Sequence, residues 1–310
     1  MSAITDTTEQ RHDPYPSRLP EERWLPRQDK TVWSQWRPDA PLTAQQADQF
    51  DRDGFIVLKD LFTEEEVKAL MAESTALRSG ERTLQEGSVI TEPGSDEVRT
   101  VFRLPEQSPL FNRLSRDRRI AGIARFLLGD DVYIHQSRLN YKPGFTGKEF
   151  YWHSDFETWH AEDGMPRMRA ISASLLLTDN DALNGPLMLM PGSHKHFIAC
   201  AGETPEDNHR SSLKKQEVGV PSHEALTKLA SEHGIEVATG KAGTLVLFDC
   251  NTMHGSNGNI TPFARSNAFF VFNAMSNQLQ EPFAARKPRP DFLAVRGEPV
   301  AIEIASGKLT

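Results

Sequence analysis

A chain of 310 residues, 38% hydrophobic and 25% charged, carries enough apolar side chain for one large core. Its net charge of −8, with no basic cluster, excludes an obvious nucleic-acid surface. Two cysteines are too few for a disulfide framework and point to the cytoplasm, and no run approaches the ~18 apolar residues of a membrane span.

Residues 1–13 lack the apolar segment of a secretory signal. Residues 1–42 are rich in Pro, Arg, Asp and Gln, with Trp24, Trp33 and Trp36 interspersed. We expect an extended N-terminal arm there, lying against the body or a second subunit, followed by one domain over 43–310. Thr43 is a predicted N-cap for a short helix ending near Gly54. Residues 55–58 form a predicted strand. Thr63-Glu64-Glu65-Glu66 is a capping box, and Val67, Leu70 and Met71 continue it as a helical apolar stripe. A polar loop region is expected over 80–97 and a strand edging the site over 101–104. Helices are expected over 108–128, ending at Gly129.

Residues 131–141 alternate by two and predict a strand, with Gln136, Arg138 and Asn140 sharing one face. Residues 169–178 predict another, with Ser172 and Ser174 on one face. An apolar strand over 187–190 runs into the turn Pro191-Gly192-Ser193-His194. Residues 200–220 are a polar loop and a candidate lid. A helix over 221–233 precedes strands over 235–237, 244–248 and 267–273. The tail from Gln280 is rich in Pro and Arg, and 301–304 either pairs as an edge strand or stays loose. This succession predicts a mainly β protein, a sandwich or jelly-roll barrel with helices packed on one side.

The chemistry concentrates in Phe150-Tyr151-Trp152-His153-Ser154-Asp155-Phe156-Glu157-Thr158-Trp159-His160. On a strand, His153 and Asp155 would project from the same face. An imidazole and a carboxylate are two-thirds of the facial triad that binds iron(II) and leaves coordination positions open. His254, after the apolar strand over 244–248, is the candidate third ligand. A structural zinc site would want four ligands, and the nearby Cys250 is expected to be a plain buried thiol. Arg265 offers a guanidinium able to grip a carboxylate in a bidentate fork.

Gly54-Phe55-Ile56-Val57-Leu58, His153-x-Asp155, Pro191-Gly192-Ser193-His194 and His254-Gly255-Ser256 with Arg265 resemble the phytanoyl-CoA dioxygenase superfamily over roughly residues 45–275. The run from Phe150 through Trp152-His153-Ser154-Asp155-Phe156-Glu157-Thr158-Trp159-His160 to Glu162-Asp163-Gly164-Met165-Pro166 closely resembles the signature of ectoine hydroxylases. The resemblance implies a double-stranded β-helix (jelly-roll, cupin-like) core and a homodimer. It implies iron(II) held by His153, Asp155 and His254, with 2-oxoglutarate and O2 as co-substrates. The reaction implied is hydroxylation of ectoine to 5-hydroxyectoine, with succinate and CO2 released, in the service of osmoprotection.

On this basis Arg265, Ser256, Ser172 and Asn140 are candidates to hold 2-oxoglutarate. Ectoine carries a delocalised amidinium, which wants aromatic faces and an acceptor. Trp159, Phe248 and Phe269 are the candidate aromatic box, and Gln136 and Asn267 the polar contacts. Arg138 or Arg286 would meet the substrate carboxylate. Two rivals stand beside this expectation: the same chemistry on another small zwitterion, and a cupin-like protein that binds a metal or osmolyte without turnover.

Overall fold

The computed structural model describes residues 12–85, 87–91, 97–212 and 216–309. Its large sheet runs, in spatial order, β2 (Phe55–Leu58), β11 (Leu245–Asp249), β7 (Ala170–Leu176), β13 (Arg265–Ala274), β5 (Val132–Lys142), β4 (Val98–Phe102) and β3 (Val89–Thr91), all antiparallel. A second antiparallel sheet runs β10 (Glu236–Ala238), β8 (Leu187–Leu189), β12 (His254–Ser256) and β6 (Phe150–His153). The predicted jelly-roll class is therefore present, with helices along one face.

The period-two pattern of the central strands sorts side chains between two cores. Ile171, Ala173 and Leu175 of β7, Leu245 and Leu247 of β11, and Ala268, Phe270 and Phe272 of β13 share one cluster with three helices. These are α2 (Glu64–Arg78), α4 (Pro109–Ser115) and α5 (Ala121–Leu128). The intervening Val246, Phe248, Phe269 and Val271 belong to a second cluster on the opposite face of the sheet. Ser172 and Ser174 share that inner face by the same alternation.

The predicted N-cap at Thr43 and the predicted capping box at Thr63 both form, and Thr43 proves to head a box of its own with Gln46. The Thr43 side chain accepts from Gln46 N ahead of α1 (Ala44–Asp53), and Thr63 accepts from Glu66 N ahead of α2. Gly54 closes α1 at φ 81°, and a Cβ there would lie 2.4 Å from Nδ1 of His194. Only glycine supplies that backbone and that space.

One expectation needs correction. His153 and Asp155 do not share a strand: β6 stops at His153, and Asp155 opens the helical turn α6 (Asp155–Thr158), followed by a π-helical turn over Trp159–Asp163. Of the two readings of residues 301–304 the loose one holds: they form no strand, although Ile302 N donates to Val132 O at 2.8 Å. The described part of the arm lies against the body, where β1 (Arg23–Pro26) pairs with β9 (His196–Ala199) of the same chain.

The arm is also tied down by charge. Arg18 donates to both carboxylate oxygens of Glu157 (2.7 and 2.9 Å) and to Glu162 (3.1 Å). Arg27 makes the same fork onto Asp249 (2.7 and 2.8 Å). All five of these acids and bases are buried or nearly so at the side chain. The candidate lid is likewise attached where it is described: Asn208 Nδ2 donates to Glu162 Oε1 at 2.7 Å, and Gln216 Nε2 to Thr158 Oγ1 at 3.3 Å. Residues 213–215 of that stretch lie outside the described residues. Among the described residues no helix is long and apolar enough to cross a membrane.

Candidate active site

β6 and β12 are neighbours in the smaller sheet, and their register places His153 directly across from His254. The two imidazole centroids are 4.3 Å apart. Asp155, one residue beyond the end of β6 and the connecting Ser154, turns its carboxylate toward both. Oδ1 lies 3.7 Å from His153 Nε2, and Oδ2 lies 3.9 Å from His254 Nε2. One donor atom from each of the three falls within 4.8 Å of the other two, and all three residues are buried.

The hydrogen bonds around this triad fix which atoms face inward. Nδ1 of His153 is 2.8 Å from Tyr151 O, and Nδ1 of His254 is 2.9 Å from Thr252 O. A carbonyl oxygen only accepts, so each Nδ1 carries a proton and each Nε2 is the ring nitrogen left facing Asp155. Burial pushes His254 down to about 4, so it stays neutral. Burial alone would raise Asp155, but the positive charge that His254 and His153 carry when protonated, with that of Arg138, outweighs it and holds the carboxyl well below its ordinary range. Two imidazoles and one carboxylate, each oriented by a backbone or side-chain bond, are the donor set that suits iron(II). Cys250 is fully buried and stands outside the set.

A cavity opens beside the triad, between the two sheets. His153, His254, Phe248, Phe269, Asn140, Asn267, Ser256, Arg138 and Arg265 all line it, as the sequence led us to expect of residues with a shared site. Phe248 packs against the His254 ring at 4.8 Å and stands 5.9 Å from Phe269. The Arg138 guanidinium lies 4.3 Å over Phe269 and donates to Gln136 Oε1 at 2.6 Å. Asn140 accepts from Thr100 Oγ1 at 3.5 Å, and Asn267 Nδ2 donates to Ser174 Oγ at 2.8 Å. Arg265 is wrapped in protein: its Nε is buried without a partner, and burial pushes it down to about 10. It remains a cation at neutral pH, and among the described residues no ion pair to a carboxylate satisfies it.

Four candidates fall elsewhere. Ser172 does not line the cavity; its hydroxyl donates to Asp155 Oδ2 at 3.1 Å. Gln136 turns its amide to Leu293 O at 2.7 Å. Trp159 is buried edge-on against His135, with centroids 5.1 Å apart. Arg286 is exposed in the tail and outside the cavity wall.

Sequence reasoning overlooked other parts of the wall, among them Arg99, Lys142 and Lys148, while Phe102 comes from the stretch 101–104 expected to edge the site. Lys142 had a signal. It is the next inner-face position after Gln136, Arg138 and Asn140 in the same alternation.

Comparison with known proteins agrees with this geometry. A family model for phytanoyl-CoA dioxygenase matches residues 50–267. The ectoine dioxygenase of Sphingopyxis alaskensis is 58% identical over 96% of this chain and 97% of its own length. The crystal structure of EctD from S. alaskensis with 2-oxoglutarate and 5-hydroxyectoine superposes with a TM-score of 0.89 at 54% identity, covering 96% of this chain and 100% of that one. The same protein with bound Fe gives a TM-score of 0.88 at 53% identity, with the same coverage.

Proposed function

Because the chain belongs to the phytanoyl-CoA dioxygenase family, we propose that it is an iron(II)- and 2-oxoglutarate-dependent oxygenase that converts ectoine to 5-hydroxyectoine. The observation that carries this reading is the buried His153–Asp155–His254 triad, with both Nε2 atoms within 3.9 Å of one carboxylate beside a cationic cavity. Ectoine, 2-oxoglutarate and O2 give 5-hydroxyectoine, succinate and CO2. One oxygen atom enters succinate and the other the new hydroxyl. Iron(II), when bound, supplies the activation of O2 that couples decarboxylation to oxidation of the C–H bond.

The side chains divide the remaining work. His153, Asp155 and His254 hold the metal. Arg265 offers the distal carboxylate of 2-oxoglutarate a buried, otherwise unsatisfied guanidinium. Ser256 and Asn140 add polar contacts from the same cavity. Phe248 and Phe269 shield the substrate ring, and Arg138 or Arg286 answers its carboxylate. Of these two, Arg138 already stands in the wall, whereas Arg286 needs the tail to fold inward. Asn267 adds a polar contact from the cavity wall, and Gln136 and Trp159 contribute from behind it. A cytoplasmic homodimer working in osmoprotection completes the reading. An apolar surface supports the dimer: Phe145 (66% exposed), Ile260 (85%) and Phe263 (67%) sit on two loops joined by Phe145 N to Thr261 O.

The decisive experiment loads the protein with iron(II) and follows succinate release in air with ectoine, proline or other compatible solutes. We expect ectoine to give succinate and 5-hydroxyectoine in equal amounts. Succinate release no greater with ectoine than with proline would overturn the assignment.

A further inference from the structure

The register of β5 and β13 sets Lys142 directly across from Arg265, so two cationic side chains meet on one inner wall of the cavity. Lys142 is buried, at 7% exposure. Its Nζ donates to Ser256 Oγ at 2.9 Å and to the carbonyl oxygen of Asn257. An ammonium has donors and no acceptor, so at the Lys142–Ser256 contact the serine can only accept. The hydroxyl proton of Ser256 is thereby turned away from Lys142, and Ser256 lines the same cavity as Arg265. Ser256 and Arg265 thus both present donors to the same part of the cavity, and an anion can accept from both at once.

We propose that Lys142 is a specificity-determining positioning residue: it fixes the Ser256 hydroxyl as a donor and, with Arg265, makes this end of the cavity select a co-substrate with a second carboxylate. The inference rests on the function proposed above and deepens it by assigning the choice of 2-oxo acid to a lysine–serine–arginine group. Arg265 supplies the fork, Ser256 one further hydrogen bond, and Lys142 the direction of that bond together with a second positive charge. A purely structural lysine would affect stability alike whatever acid is offered.

The test uses the whole protein, its Lys142→Met, Ser256→Ala and double variants, iron(II), and two 2-oxo acids. One is 2-oxoglutarate; the other is 2-oxopentanoate, of the same length but without the distal carboxylate. Turnover with ectoine gives KM for each partner, and thermal shifts under nitrogen give binding of either acid without turnover. For Lys142→Met we expect KM for 2-oxoglutarate to rise roughly tenfold, the worth of one hydrogen bond to a charged group. KM for ectoine should change by less than about twofold, and the preference for 2-oxoglutarate over 2-oxopentanoate should shrink by the same roughly tenfold factor. In the Ser256→Ala background the lysine substitution should add much less than it does alone. Undiminished preference for the dicarboxylate in Lys142→Met overturns the inference. If the Met protein does not fold, Lys142→Gln, neutral but polar, is measured in its place and judged the same way. Should the unmodified protein fail to oxidise ectoine, the proposed function falls, while the thermal shifts with the two acids still decide the role of Lys142.

Discussion

Ser172 donates its hydroxyl to Asp155 at 3.1 Å, from the middle of β7 to the first residue of α6. The bond fills one lone pair of the carboxylate and limits how that carboxylate turns toward His153 and His254. Its loss leaves Asp155 freer to rotate. We expect Ser172→Ala to weaken iron(II) binding about tenfold, as outer partners of metal ligands commonly do. Anaerobic titration checks this, and an unchanged dissociation constant would remove Ser172 from the metal site.

Arg18 holds Glu157, two residues past Asp155, in a pair almost sealed from solvent. Removing one member of such a pair strands the other charge in the interior. Arg18→Met is expected to destabilise the protein by about 3–5 kcal/mol. Adding Glu157→Gln should recover part of that loss, because the stranded charge disappears. Denaturant unfolding of both variants checks the sign of the second change. No recovery would mean that Arg18 acts through packing alone.

Gly54 has its carbonyl oxygen bonded by Asp249 N (2.8 Å) and Thr252 Oγ1 (3.0 Å), in the loop that leads to His254. Gly54→Ala drives a methyl into His194 Nδ1 and Thr252 Oγ1 at a positive φ. We expect a cost of about 2–4 kcal/mol, and a displaced loop should carry part of it into weaker iron(II) binding. A melting temperature within error of the parent would contradict the close approach.

His194 is packed beside that glycine, with Nε2 3.1 Å from Asp51 O. Burial pushes it down to about 4 from an ordinary 6.5. The folded state therefore binds fewer protons than the unfolded chain between these values. The sign follows: the contribution is complete above pH 6.5 and is lost as pH falls toward 4, in total on the order of 3 kcal/mol. Replacing His194 with Gln should flatten the stability curve over that window even if it lowers the plateau. Melting temperatures measured from pH 7 to pH 4 check this, and equal slopes for the two proteins would refute it.

The triad was legible because its members lie in a short motif and at the start of a separate strand, and two-residue alternation put Ser172, Ser174, Arg138 and Asn140 on inner faces. The same alternation continues to Lys142, one residue beyond the predicted end of that strand. The helical start at Asp155 also had a trace, since Ser154 and Glu157 have the spacing of a capping box. There the serine instead donates to Asn251 Oδ1 at 2.9 Å. What local pattern could not reveal were pairings across the fold. Nothing near Arg18 names Glu157, and nothing near Arg27 names Asp249, because sequence periodicity reports a face and not the partner it will meet. Trp159 and Arg286 show the converse limit, since nearness to a motif did not put either in the cavity wall.

The placing of β2 at the border of the large sheet bears on how the molecule is made. Phe55–Leu58 leaves the ribosome early, yet its hydrogen-bonding partner in the sheet begins only at Leu245. Until then an apolar ribbon waits with unpaired amides, open to other nascent chains. Assembly governed by such distant pairings is slow and prone to aggregation on the way, so yield in a host cell should depend on growth temperature more steeply than the finished protein's stability would suggest.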